Sequence, residues 1–162
     1  MIFHIRPAQL NDAAALADLL TGLGWFQHYF GDAPAEVIQE RVRQKLSLNL
    51  TDKSHSIYVA ESSESRIAGY AAVHWLPYLF LPGPEGFVSE LFVQESARGQ
   101  GLGGRLLAAV KAEAIERGCS RLSLINMRSR ESYQRGFYGQ HGWEERPEAA
   151  NFILRLPQAS QK

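Results

Sequence analysis

Residues 98–107 read RGQGLGGRLL, four glycines and two arginines in ten positions. Just upstream, residues 87–93 (FVSELFV) are apolar and rich in strand formers, while residues 104–118 (GRLLAAVKAEAIERG) repeat apolar side chains at helical spacing. The glycines therefore join a strand to a helix. Glycine lets a ligand approach the main chain closely and takes backbone angles that other residues avoid. The first N–H groups of a helix lack intrahelical acceptors and, with the helix dipole, attract anions. Arg98 and Arg105 flank the seam, and a guanidinium fork matches phosphate oxygens. The stretch is suited to holding phosphate.

Two familiar phosphate sites do not fit it. Gly99, Gly101 and Gly104 spell G-x-G-x-x-G, but the dinucleotide fingerprint requires an acid about 20 residues on, and SRLSLIN at 120–126 offers none. A P-loop requires Lys and then Ser or Thr after its last glycine, where this chain has Arg105 and Leu106.

The 162 residues, 45% hydrophobic with 17 basic and 17 acidic side chains, fit one globular domain over 1–162. Zero formal net charge argues against broad attraction to nucleic acid. The one cysteine, Cys119, excludes an internal disulfide or a cysteine-rich metal site, and no metal is expected. No run reaches membrane-span length, and MIFHIRPAQLND lacks a signal-peptide pattern, so a cytoplasmic location with no membrane partner is expected.

Residues 2–8 read as a first strand, and Asn11 or Asp12 can cap a helix carrying Leu16, Leu19, Leu20 and Leu23, stopped by Gly22 and Gly24. Pro34 opens a second helix with Val37, Ile38, Val42 and Leu46, running to about Leu50. SIYVAE and RIAGYAAVHWL around the polar SSES turn predict a hairpin, and a Pro- and Gly-containing loop leads to FVSELFV. After the glycine seam follow a helix to about Arg117, a stop at Gly118, the strand SRLSLIN, a helix near 130–141, and late strands GWEER and NFILRLP. The predicted fold class is α/β, with a mixed, mostly antiparallel sheet of about seven strands and about four helices.

This order and these residues together resemble the GNAT superfamily of acetyl-CoA-dependent N-acetyltransferases. Arg98, Gly101 and Gly103 match its R/Q-x-x-G-x-G/A motif directly after SELFV, and FYGQHGW at 137–143 matches its aromatic motif. The resemblance implies a splayed parallel strand pair at the centre of the sheet, ending at Val93 and near Asn126. It implies that main chain across Gly99, Gln100, Gly101, Leu102, Gly103 and Gly104 cradles the coenzyme A pyrophosphate, with Arg98 as the motif residue and Arg105 as a phosphate or outer partner. Main chain at Phe92 and Val93 would pair with the pantetheine arm, and Asn126 is a further pantetheine candidate. The chain departs from the family in the helix before Tyr138, where Glu131 and Gln134 stand in place of Asn and Ala; Ser129 or Ser132 would cap that helix or contact pantetheine.

An amine attacking a thioester must be neutral, and an alkylamine at pH 7 is so for only roughly one part in a few thousand. A proton acceptor therefore helps, and so does a phenol that protonates the departing thiolate. By the motif match that phenol is Tyr138. Glu90, the acid inside FVSELFV, is the first candidate for the base, with substrate contact or a surface ion pair as its other readings and Glu85, His74 and His141 as alternatives. In the polyamine-acetylating branch the acid stands one place earlier, at Ser89 here, and consecutive strand residues face opposite ways unless a bulge intervenes. The aromatic GWFQHYFGD at 24–32 would wall an acceptor pocket or serve equally as buried packing, and Glu85, Glu90, Glu144, Glu145 and Glu148 could cluster for a cation. The expected partner is a small-molecule primary amine, ahead of protein N-termini or lysines. A homodimer is common in the superfamily, and exposed late strands would serve one. A non-catalytic acyl-CoA-binding module and a nucleotide-dependent oxidoreductase are the remaining readings.

Overall fold

In the computed structural model residues 2–157 are described, and the chain divides into two compact units, 1–125 and 126–162. The first unit holds β1 (Phe3–Pro7), α1 (Ala13–Gly22), α2 (Gln27–Phe30), α3 (Ala35–Thr51), β2 (His55–Ser62), β3 (Ile67–Leu76), β4 (Glu85–Val93), α4 (Leu102–Glu116) and β5 (Arg121–Leu124). The sheet runs β1-β2-β3-β4-β5, antiparallel until β5, which lies parallel to β4 as a right-handed crossover through α4 would place it.

The period of two along β2 and β3 decides what each face meets. Ile57, Val59, Tyr70 and Ala72 join Leu16 and Leu19 of α1 and Leu46 of α3 in one buried cluster. The alternate residues turn the other way, where Ser56 and Tyr58 both donate to Glu113 of α4 at 2.8 Å and the Arg117 guanidinium covers the Trp75 ring at 4.7 Å. Leu102, Leu106, Leu107, Val110 and Ala114 form the buried stripe of α4, as their spacing predicts. Arg6 of β1 pins the entry to α1, because its guanidinium forks onto both Asp12 oxygens at 2.8 Å and also reaches Glu61 of β2. Cys119 sits at the helix-to-strand turn, its thiol pushed up by burial.

The second unit holds α5 (Glu131–Gln134) and α6 (Phe137–Gln140). The helix expected over 130–141 is broken by Gly136, which takes φ +66 and so cannot continue either turn. The late strands over 142–146 and 151–157 are not formed among the described residues. Instead, Trp143 N–H is given back to the Tyr138 carbonyl at 3.1 Å, Glu145 is held by Arg128 and Tyr133, and Pro147 interrupts the run. Over 151–157 the apolar residues are present, but Phe152 and Leu154 are 91% and 85% exposed; alternation marks a two-faced segment without supplying the partner that a ladder needs.

The described sheet thus has five strands where about seven are expected. The parallel pair lies at its edge, since no described strand follows beyond β5. The described residues hold six α-helices where about four are expected, because α2 forms inside the aromatic connection and Gly136 splits the last helix. No described helix is long and apolar enough to cross a membrane.

Candidate active site

The glycine seam closes as its composition demands. Gly99 and Gly101 take φ +76 and +72, the left-handed region where a Cβ is penalised, and both point a would-be side chain into open space. Gly101 is the residue before α4, whose first turn contains Leu102, Gly103 and Gly104; the first intrahelical bond of this end runs from Arg105 N–H to the Gly101 carbonyl at 3.1 Å. Leu102 is 2% exposed, so it anchors the helix and offers a ligand only main chain. Gln100 is exposed.

The two flanking arginines do different things. Arg98 Nε donates to the Val93 carbonyl at 3.3 Å and its guanidinium lies 5.5 Å from the Trp25 ring centre. It borders a groove of about 570 Å³ lined by Leu23, Trp25, Gln94, Glu95 and Ser96. Arg105 instead donates Nη2 to the Phe3 carbonyl at 2.8 Å, tying α4 to β1.

Beside the seam, β4 is paired to β5 only over Glu85–Val88. On that side the main chain of residues 89–93 has no ladder partner among the described residues, while its other side pairs Phe92 with Tyr70 and Val93 with Gly69. Glu85, an alternative base, is not available for proton transfer: it is 4% exposed and its carboxylate accepts from Arg121 and Ser123, stapling β4 to β5.

A β-bulge decides the chemistry of β4. Ala72 stands opposite Glu90 and Val73 opposite Val88, so Ser89 is the unmatched residue. The consequence is that two consecutive residues meet side chains from one face of β3. Tyr70 donates its hydroxyl to Glu90 Oε2, and His74 Nε2 lies 2.9 Å from the Ser89 hydroxyl. Burial first, then the charge of Glu90 and this hydrogen bond, push the Tyr70 phenol far up, so it stays protonated. His74 also faces His55 of β2, ring centres 4.6 Å apart. Burial first, and then His55, hold the His74 imidazole below its ordinary value, against an opposing pull from Glu90. Behind His55, Ser54 Oγ lies 2.8 Å from its Nδ1, and Asp52 Oδ1 lies 3.5 Å away.

Within the first unit the aromatic connection packs onto β4. Phe92 packs edge-on to Trp25 and Phe26 at 5.9 and 5.1 Å and lies 5.8 Å from Tyr70.

In the second unit, Asn126 accepts from Ser132 Oγ at 3.1 Å through Oδ1, while its Nδ2 is buried without a partner. Ser132 therefore serves Asn126 rather than capping α5. Tyr138 is half-buried against Phe137 and Trp143, ring centres 5.0 and 6.1 Å away, and burial raises its phenol. His141 is exposed, its ring 4.7 Å from that of Phe137.

Tyr70, Ser89 and His55 are the members of this arrangement that sequence reasoning does not single out as catalytic. A Tyr and a His four apart in one strand share a face, which is visible in RIAGYAAVHWL; the bulge that turns Ser89 and Glu90 onto that face is not.

The profile of the acetyltransferase (GNAT) family matches residues 23–142. The chain is 33% identical over 123 residues to an aminoglycoside N(6')-acetyltransferase type 1 of Stenotrophomonas maltophilia, covering 74% of this chain and 72% of that one. It is 28% identical to an uncharacterised N-acetyltransferase of Bacillus subtilis (strain 168) over 95% of this chain and 98% of the relative. Among solved structures, a transcriptional regulator from Bacillus halodurans C-125 superposes with TM-score 0.76 at 22% identity, over 96% of this chain and 100% of that one. An aminoglycoside acetyltransferase from a soil metagenomic sample gives TM-score 0.69 at 19% identity, over 96% and 97%. At these identities the structural matches speak for the fold.

Proposed function

Because the chain belongs to the acetyltransferase (GNAT) family and is an acyltransferase, we propose that it moves the acetyl group of acetyl-CoA to the primary amine of a small molecule by direct attack in a ternary complex. The observation that carries this reading is the left-handed pair Gly99 and Gly101 at the N-terminus of α4, beside the unpaired stretch of β4.

The residues present fit the coenzyme. Main-chain N–H groups of Gly99, Gln100, Gly101, Leu102, Gly103 and Gly104 would hold the pyrophosphate, helped by the helix dipole and by Arg98. Arg105, already tied to Phe3, would act from the outer side. The unpaired main chain at Phe92 and Val93 would hydrogen-bond the pantetheine amides as an added strand does. Asn126 Nδ2, a buried donor without an acceptor, is what an amide carbonyl would satisfy. Bound acetyl-CoA supplies an activated acyl carbon and a thiolate leaving group.

Glu90 places a negative charge beside the aromatic wall of Trp25, Phe26 and Phe92, which favours an amine that is cationic at one end and apolar beyond it. Its Oε2 is taken by Tyr70, leaving Oε1 to meet the ammonium by charge. Tyr138, whose phenol burial keeps protonated, would donate to the thiolate. A small-molecule acceptor also agrees with the aminoglycoside-acetylating relative. The carboxylate cluster that a polycation requires loses two of its five candidates, since Glu85 is buried under Arg121 and Glu145 is held by Arg128 and Tyr133. A primary amine with a single cationic end is therefore preferred.

With acetyl-CoA and a panel of polyamines, aminoglycosides, amino acids, arylamines and peptides, release of coenzyme thiol is expected with small primary amines. Release with peptides alone would contradict the small-molecule assignment, and release with nothing would contradict acetyl transfer.

A further inference from the structure

The geometry points to His74 as the final acceptor of the proton that the attacking amine sheds, reached through the Ser89 hydroxyl, with Glu90 acting by its charge. This deepens the acetyl-transfer reading and rests on it. Three observations carry it. The bulge at Ser89 brings that hydroxyl to 2.9 Å from His74 Nε2 and turns it toward the same side as Glu90. Glu90 gives one carboxylate oxygen to the Tyr70 phenol, whereas His74 Nε2 faces the Ser89 hydroxyl. His55 and then Ser54 and Asp52 continue outward from His74 to exposed surface, so a proton on the imidazole has polar groups beyond it.

In balance, the ammonium gives one proton to Ser89 Oγ as Ser89 gives its own to His74 Nε2. The freed nitrogen lone pair then forms the C–N bond as the C–S bond breaks, with its electron pair leaving on sulfur, and the second proton that the nitrogen sheds ends on that thiolate as the product thiol. The imidazolium afterwards loses its proton to solvent. The neutral ring, the form that can accept a proton, is the one this site favours, since burial and His55 both disfavour the charged ring.

The charged and titratable groups facing His74 are His55 from β2 and Glu90 from β4, with Tyr70 bound to Glu90 and Asp52 behind His55. Their signs give the test. The kcat profile of the whole protein, saturated with acetyl-CoA and the best amine, is expected to show an acidic limb set by His74. His55→Gln removes a neighbour that lowers His74 and moves the limb to higher pH; Glu90→Gln removes one that raises it and moves the limb to lower pH. In His74→Gln the limb is lost and kcat falls about 10²- to 10⁴-fold. Ser89→Ala slows turnover by a similar order while His74 still titrates.

NMR titration of the imidazoles in the unliganded protein reads His74 without turnover. A midpoint below the ordinary histidine value that rises in His55→Gln supports the proposal; a midpoint at or above it, or unmoved in that variant, overturns it. A limb unchanged in His74→Gln, or abolished in Glu90→Gln, overturns it with acetyl transfer intact. Absence of turnover on every amine contradicts the acetyl-transfer reading, and the proposal falls with it.

Discussion

Tyr138 and Glu90 show what a single side chain's surroundings add to its identity. Burial raises the Tyr138 phenol, so at neutral pH it is a donor rather than a base. Tyr138→Phe is therefore expected to leave acetyl-CoA affinity within about two-fold and to lower kcat by at least about ten-fold, read by calorimetry beside thiol release. Equal loss in both would assign the residue to packing. The position of Tyr138 is legible in FYGQHGW, because that motif is local in sequence. Glu90 is legible only as an acid in a strand. Which way it faces depends on the bulge opposite Ala72, and one unmatched residue reverses the parity on which strand reading relies. For the same reason the link from His74 to Ser89, fifteen positions apart, is written in the register and not in either residue's neighbourhood.

At the scale of elements, the seam before α4 is where composition and conformation agree most closely. Gly101 at φ +72 cannot accept a β-branched residue without strain, although a Cβ there meets no atom within 4 Å. Gly101→Val is expected to leave a folded protein whose acetyl-CoA affinity falls at least about ten-fold, by calorimetry beside circular dichroism. Unchanged affinity would remove the pyrophosphate from this turn. The start of α1 offers a second test. The Arg6 guanidinium holds the Asp12 carboxyl below its usual range, with smaller help from the Gln9 N–H at 2.7 Å. A carboxyl lowered by folding stabilises the native state above its unfolded value, about pH 4, and loses that contribution as pH falls through its folded value. Asp12→Asn should cost about 2 kcal/mol at pH 7, with the difference from the unaltered protein shrinking toward pH 3. A difference independent of pH would contradict the ion pair.

Elements with their own periodicity and stops were readable in advance: α1, α3, α4 and the β2–β3 hairpin all stand where spacing and turn residues predict them. The misplaced ones depend on something the segment does not contain. Residues 151–157 have strand composition but no described ladder partner, and 130–141 has helical content interrupted by one left-handed glycine.

For the molecule as a whole, the order of elements in residues 1–125 carries the family resemblance, and the family profile extends from residue 23 to 142. The balanced charge argues against broad attraction to nucleic acid. Glu90, Tyr70, His74 and Ser89 meet beside Trp25, Phe26 and Phe92, where the proposed amine would bind. That arrangement arises from long-range pairing and is the part least visible in linear order.

If the glycine seam holds the pyrophosphate of acetyl-CoA, calorimetric titration of the unaltered protein will separate acetyl-CoA from acetyl-pantetheine, which lacks that pyrophosphate. Saturable binding of acetyl-CoA, at least about ten-fold tighter than acetyl-pantetheine, is the predicted result. Equal affinity for the two, or no binding of acetyl-CoA, would contradict it.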